Sequence, residues 1–306
     1  MRRGIIISPL IIYFILFFVL FKHDSDETFN TELNKFINIE QIDYSIFLMK
    51  DIKVGIIDIG FINDHPNLNI VPINDVEMKD EHNIHGTVVA GIISSQKSNV
   101  NNFSGIIPGI TVYTYSLPYE NDISVSALTE GLKVMNEYQM DVINISLATG
   151  EESIALKNEI KKAVSQGTVI VASAGNYPNN LNYYPAAYKI PGVISVGAID
   201  REFNLLENTT YNNYIDVWTL GEDVLSLSIN PESVKYYSGT SVATPIVTSL
   251  VAMLKAKCGK ISSSPREIEN MLLKGATPII QSWNGFNVNT RIVDFKNTLL
   301  NCEGLL

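Results

Sequence analysis

The sequence predicts a three-layer α/β fold: a mostly parallel central sheet with helices on both faces. Three observations carry that prediction. Short apolar runs recur along the chain, of the kind that strands buried on both faces require. Between them lie stretches whose apolar residues repeat at helical spacing. Neither an internal repeat nor a low-complexity linker divides residues 40–300, so one domain accounts for them.

Taken in order, residues 53–58 (KVGIID) form a short buried strand, and 85–95 a helix that is apolar on most faces. Residues 111–117 are strand-like. Residues 124–138 have helical spacing, with Leu128, Leu132 and Met135 on one face. A strand at 141–146 (DVINIS), a helix at 151–166 and strands at 168–173 (TVIVAS) and 193–198 (VISVGA) continue the alternation. Two helices close it, at 242–257 and 265–274. The second has Ser264 at its N-cap position and Pro265 in its first turn. The asparagine-rich stretches 99–102 and 176–184 read as surface loops.

Composition narrows the function classes. Of 306 residues, 46% are hydrophobic and 18% charged, which excludes a disordered or coiled-coil chain. Lys plus Arg number 22 against 32 Asp plus Glu, a formal charge of -10. With no basic stripe, nucleic acid is not an expected partner. Met1-Arg2-Arg3 precedes an apolar run over 4–21, followed by Lys22-His23-Asp24-Ser25-Asp26-Glu27. This is the pattern of an export signal. The run approaches the length of a membrane span, and no small-residue cleavage site follows it. The expectation is an N-terminal membrane anchor, with a cleaved signal peptide as the alternative. Either leaves the basic end cytoplasmic and the remainder extracytoplasmic, anchored or secreted. The expected organisation is therefore an anchor or signal at 1–21, a polar stalk at 22–37, one domain at 38–300 and a tail at 301–306. Cys258 and Cys302 pair in one reading, and in the other Cys258 is buried and Cys302 free. No His/Cys cluster suggests a zinc site, so no metal ligand is assigned.

Four segments place a polar residue where a buried strand ends or a helix begins, the position at which sites assemble in open α/β sheets. Asp58 ends VGIIDIG, with Gly60 allowing a sharp exit; a carboxylate there is desolvated and needs a partner. His85 opens HGTVVAG, a helix start of small residues. Among the other histidines, His23 lies in the stalk, His65 in a His-Pro turn, and His82 precedes no such start. Asn176 ends ASAGN, where Ala174 and Gly175 form a small-residue pocket floor and its amide is a donor for a developing oxyanion. Ser241, in SGTSVATP, sits at a helix N-terminus, where N–H groups and the dipole favour negative charge. An orienting acid, a base, an oxyanion donor and a nucleophile are the parts of a Ser-His-Asp hydrolase.

The order Asp58, His85, Ser241 and the motifs around them resemble the subtilisin-like serine proteases, the subtilases. VGIIDIG, HGTVVAG and GTSVATP resemble the family's Asp, His and Ser motifs. DVINISLATG resembles its substrate-binding strand, ASAGN its oxyanion segment, and YPAAYKIPGVISVGAID the stretch after it. The likeness covers about residues 38–280. It implies a serine endopeptidase with Asp58, His85 and Ser241 as triad and Asn176 in the oxyanion hole. Ser146, Leu147, Ala148, Ala174 and Gly175 would bind an extended peptide or protein substrate, and the enzyme would be a monomer. No cofactor is required; calcium is left open. The family's calcium-binding aspartate is Asn67 here, which weakens that site, while the 99–102 loop still offers carbonyl ligands. Other departures are Ile59 for threonine, Val88 for a second histidine and Ala148 for glycine, the last narrowing the cleft. Between Phe21 and the domain there are fewer residues than the roughly 40 that a self-standing domain needs. That implies maturation without a prodomain, as in some lantibiotic leader peptidases. A dedicated maturation protease for one secreted peptide is thus the narrower alternative, and a catalytically silent binding protein of the same fold the remote one.

Overall fold

A computed structural model describes residues 32–39, 52–74, 76, 84–97, 102–118, 123–258, 264–283 and 285–302. The apolar run at 4–21 and most of the 99–102 loop lie outside them.

Nine strands form the main sheet: β1 (Val54–Asp58), β2 (Asn69–Pro72), β3 (Thr111–Ser116), β4 (Val142–Ile145), β5 (Val169–Ser173), β6 (Val193–Ile199), β7 (Val217–Leu220), β10 (Thr277–Trp283) and β11 (Phe286–Ile292). Their order is β10-β11-β7-β6-β5-β4-β1-β3-β2. All neighbours are parallel except the β10–β11 hairpin. A small antiparallel pair, β8 (Val224–Leu227) and β9 (Val234–Tyr237), stands apart. Because the chain runs from β1 out to β2 at the edge, back to β3 and then to β4 on the other side of β1, the strand order reverses at β1. A crevice opens at the carboxyl ends of strands around such a switch point.

Helices α1 (His85–Ser94) and α4 (Thr240–Cys258) pack together on one face, in the larger core cluster with α5 (Pro265–Gly275) and α6 (Phe295–Leu300). The other face carries α2 (Val125–Glu137) and α3 (Ile154–Ser165), whose Leu128, Leu132, Met135, Leu156 and Ile160 are fully buried. The three-layer α/β expectation is met. α4 is long and apolar enough to cross a membrane, but 78% of its apolar window is buried in this core.

Caps explain the shifted helix ends. Ser124 Oγ accepts from Ala127 N and Ser153 Oγ from Leu156 N, so α2 and α3 begin just after these serines. Ser264 holds the N-cap position of α5 in extended conformation but makes no side-chain cap bond. Gly197 is needed where it stands because the Trp218 ring lies against it, leaving no room for a Cβ.

The chain differs from the expected organisation at both ends. Residues 32–36 are helical, and Leu33, Ile37 and Ile39 are buried in the larger core cluster. Phe36 stacks on Phe203, and Phe295 N donates to Ile37 O at 2.9 Å. The end of the expected stalk is therefore part of the domain: Leu33, Phe36 and Ile37 make an apolar stripe that the polar residues between them mask. At the other end, Cys302 is buried and disulfide-bonded to Cys258, which draws the start of the expected tail into the body.

Candidate active site

Asp58 closes β1 and is fully buried. Its Oδ1 accepts from Ile59 N at 2.7 Å and meets His85 Nδ1 at 2.6 Å. The backbone enforces this meeting. After Asp58 the chain turns at Gly60, whose φ of 72° is in the left-handed region. Gly86 N then donates to Ile59 O at 2.7 Å and Thr87 N to Gly60 O at 3.2 Å, while Ile62 N donates to Thr87 Oγ1 at 2.8 Å. The strand exit and the first turn of α1 are thereby stitched together, with His85 beside Asp58.

Burial alone would lower the His85 pKa, but the Asp58 charge and hydrogen bond outweigh it and hold it above the ordinary value of 6.5. With Nδ1 committed to the carboxylate, the neutral ring carries its lone pair on Nε2. The side chain keeps 33% of its surface exposed.

Ser241 lies in the first turn of α4, which starts at Thr240, two residues earlier than its apolar pattern suggests. Gly239, at φ 140°, turns the chain into the helix and donates to Gly221 O at 2.7 Å. Asn176 Oδ1 accepts from both Thr240 N and Thr240 Oγ1, at 2.8 and 2.9 Å. Asn176 thus caps α4 from another segment, and the cap fixes its amide orientation with Nδ2 left to donate. Among the described residues, Ser241 Oγ makes no hydrogen bond to His85; such contacts are often long without ligand and tighten in the substrate complex.

A buried polar chain supports the serine from below. Thr248 Oγ1 donates to Asn144 Oδ1 (2.8 Å), Asn144 Nδ2 to Ser146 Oγ (2.9 Å), and Ser146 Oγ to the Ser241 carbonyl (2.8 Å). Sequence reasoning missed Asn144, Thr240 and Thr248. The available signal was Asn144 itself, an amide inside an apolar strand that burial obliges to find partners.

The other expected contacts divide. Ser146 directs its hydroxyl inward, as described, so what it offers a ligand is backbone. Leu147 is buried and Ala148 half-buried, in the segment that follows the end of β4. Ala174 does not floor the cleft with its methyl, which is fully buried in the Trp218 cluster; Gly175, at φ 101°, is buried beside it. A cleft of about 440 Å³ opens beside Asn176, Ser238 and Gly239, lined also by Glu207, Glu222 and Asp223. Partial desolvation, then Asp200, Asp223 and Glu202, raise the Glu222 pKa. Among the described residues no three His, Cys, Asp or Glu side chains gather as a metal site.

Residues 49–296 match the subtilase family. The chain is 31% identical over 242 residues to subtilisin DY of Bacillus licheniformis, covering 76% of this chain and 86% of that protein. It is also 31% identical over 213 residues to the thermophilic serine proteinase of Bacillus sp. (strain AK1), covering 67% of this chain but only 52% of that relative. Two solved structures share the fold. The nisin leader peptidase of Lactococcus lactis superposes with a TM-score of 0.70 at 20% identity, covering 89% of this chain and 93% of its own. The prenylagaramide maturation protease gives 0.71 at 22%, covering 82% and 94%.

Proposed function

The chain belongs to the subtilase family of serine proteases, and from that premise we propose that it is an endopeptidase using Ser241, His85 and Asp58. The observation that carries this reading is the 2.6 Å contact between His85 Nδ1 and a fully buried Asp58 at the mouth of the switch-point crevice.

In the proposed reaction Ser241 Oγ attacks the scissile carbonyl while His85 Nε2 takes its proton. The Asp58 charge stabilises the imidazolium that results. Negative charge on the former carbonyl oxygen is met by Asn176 Nδ2 and the Ser241 N–H, the latter an unsatisfied donor of the α4 N-terminus. His85 then returns the proton to the leaving amine, and water repeats the sequence in reverse to free the acid. An extended substrate would lie along 146–148 by strand addition, its backbone pairing with theirs.

The narrower reading is a maturation protease for one secreted peptide. What favours it in this chain is Ala148, which stands where the family carries glycine and would narrow the cleft; the structural neighbours that process peptides support the fold. Export through the N-terminal segment, attachment there and a monomeric state complete the proposal. A fluorophosphonate probe tests the chemistry: it labels the folded protein and does not label Ser241→Ala. Absent labelling, or labelling that survives the substitution, overturns it. N-terminal sequencing of the mature protein tests the anchor, which fails if the chain begins beyond Phe21.

A further inference from the structure

The acyl side of the cleft is bounded by three segments. β4 and β5 run parallel up to Ile145 opposite Ala172; beyond that pair 146–148 leaves the sheet while Ser173 and Ala174 stay paired with β6, so a wedge opens between the two segments. For a substrate laid along 146–148 with its scissile carbonyl at Asn176, the side chain on the acyl side of that bond enters the wedge between them. Across the far end of the wedge, Thr149 and Tyr184 exchange both backbone hydrogen bonds, at 2.9 and 2.8 Å. That bridge brings Tyr183 against Gly175.

Two rings occupy this position. A methyl group added to Gly175 would stand 3.3 Å from Tyr177 Cδ2 and 3.4 Å from Tyr183 Cγ. Tyr177 and Tyr183 stack with centroids 4.3 Å apart and planes 10° from parallel. Tyr183 is only 9% exposed, and its hydroxyl accepts from Asn179 Nδ2 at 3.0 Å. The Gly175 backbone beside them is held by Thr210, whose N–H donates to Gly175 O at 3.0 Å. The pair is thus fixed by stacking, by a hydrogen bond and by the bridge at Tyr184, so a ligand cannot simply push it aside.

We propose that the Tyr177–Tyr183 stack closes the pocket for the residue that supplies the scissile carbonyl, restricting it to Gly, Ala or Ser. This rests on the endopeptidase reading of the same site and names its substrate class. A pocket wall that discriminates by a single methylene is worth roughly 10- to 200-fold, so Leu or Phe, several carbons larger than Ala, are disfavoured by at least about tenfold.

The test uses the full chain and peptides that differ only at the residue before the cleaved bond: Gly, Ala, Ser, Leu or Phe. The expected kcat/KM for Leu and Phe is at least about tenfold below that for Ala. In Tyr183→Gly the ratio of Phe to Ala is expected to rise by at least about tenfold, a change in ratio that general destabilisation would not produce. Should that variant fail to fold, Tyr177→Gly, at a half-exposed ring, carries the same readout. Wild-type protein that cleaves after Phe or Leu as readily as after Ala overturns the proposal, as does an unmoved ratio in a variant that the fluorophosphonate probe still labels. Probe labelling that depends on Ser241 leaves the endopeptidase reading standing in both cases; no labelling and no cleavage of any peptide overturns both.

Discussion

Asn176 holds two positions at once, and they can be separated by substitution. Its Oδ1 caps α4 through Thr240 N and Thr240 Oγ1, whereas Nδ2 is the proposed oxyanion donor. Asn176→Ala removes both. Loss of a side-chain cap costs about 1 kcal/mol, and in a domain of this size that lowers Tm by roughly 2–4 °C. Loss of the oxyanion donor lowers kcat by about 10²–10³, a magnitude measured on a subtilisin, a member of this same family. Because the donor acts on charge that develops in the transition state, kcat should fall with little change in KM. Asn176→Asp keeps the acceptor and adds a negative charge beside a helix N-terminus, which favours it. It has no Nδ2 and repels an oxyanion. Stability should therefore match or exceed wild type while kcat falls at least as far as in the alanine variant. Thermal unfolding and steady-state peptide hydrolysis on the two variants measure both arms. If Asn176→Asp loses as much stability as Asn176→Ala, the capping argument is wrong. If Asn176→Ala keeps kcat within tenfold of wild type, the oxyanion assignment is wrong.

Four further outcomes are expected. Since Asp58 holds the His85 pKa above 6.5, kcat/KM should fall on the acid side through that raised value, because the base must be neutral to accept a proton. The pair's contribution to stability has the opposite sense, complete below the unfolded histidine value and lost as pH rises through the folded one; a pH series of activity and of unfolding reads both, and parallel trends would refute the assignment. Asp58→Asn should lower kcat by about 10⁴, as loss of the tautomer-fixing carboxylate does in a convergent triad on an unrelated fold. Ser146→Ala deprives Asn144 Nδ2 of its acceptor and the Ser241 carbonyl of its donor, costing about 1–3 kcal/mol by denaturant unfolding; wild-type stability would show the buried chain to be incidental. Cys302→Ser opens a cross-link spanning 44 residues, for which chain entropy gives about 4 kcal/mol; unfolding with and without reductant checks it, and equal midpoints would argue against the disulfide.

The central strands were legible because each is buried on both faces and so is written as an unbroken apolar run. VGIID and VIVAS need no tertiary information to be read. Of the strands that escaped notice, β7 and β8 are buried throughout, but Thr219 and Ser226 interrupt their apolar runs. β2 and β10 lie at the two sheet edges, are largely exposed, and contain Pro72 and Pro278, residues that an edge tolerates and a central strand does not. β8 carries Ser226 in a fully buried run, and its hydroxyl is satisfied only by Val88 O on the distant helix α1. No local pattern announces such a partner.

The same division runs through the site. The proposed catalytic groups Asp58, His85, Asn176 and Ser241 were legible as candidates because each sits at an element boundary, where a polar residue between a buried strand and a small-residue turn has no packing reason to be there. The groups that orient them are interior, and their meaning is relational. Asn144 looks like a defect in an apolar strand until Thr248, on a helix from the other end of the chain, accounts for its oxygen and Ser146 for its amide. Thr240 looks like any residue in a helix-opening turn until it is seen to hold Asn176. A candidate catalytic order can therefore be proposed from such boundaries, whereas the rigidity on which that order would depend lies in pairs of residues about a hundred positions apart, such as Ser146 and Ser241. Substitutions at the interior partners should accordingly disturb kcat together with stability. Those at boundary groups such as Asp58 and His85 should act on kcat far more than on stability, and Asn176 belongs to both kinds because its two side-chain atoms face in different directions.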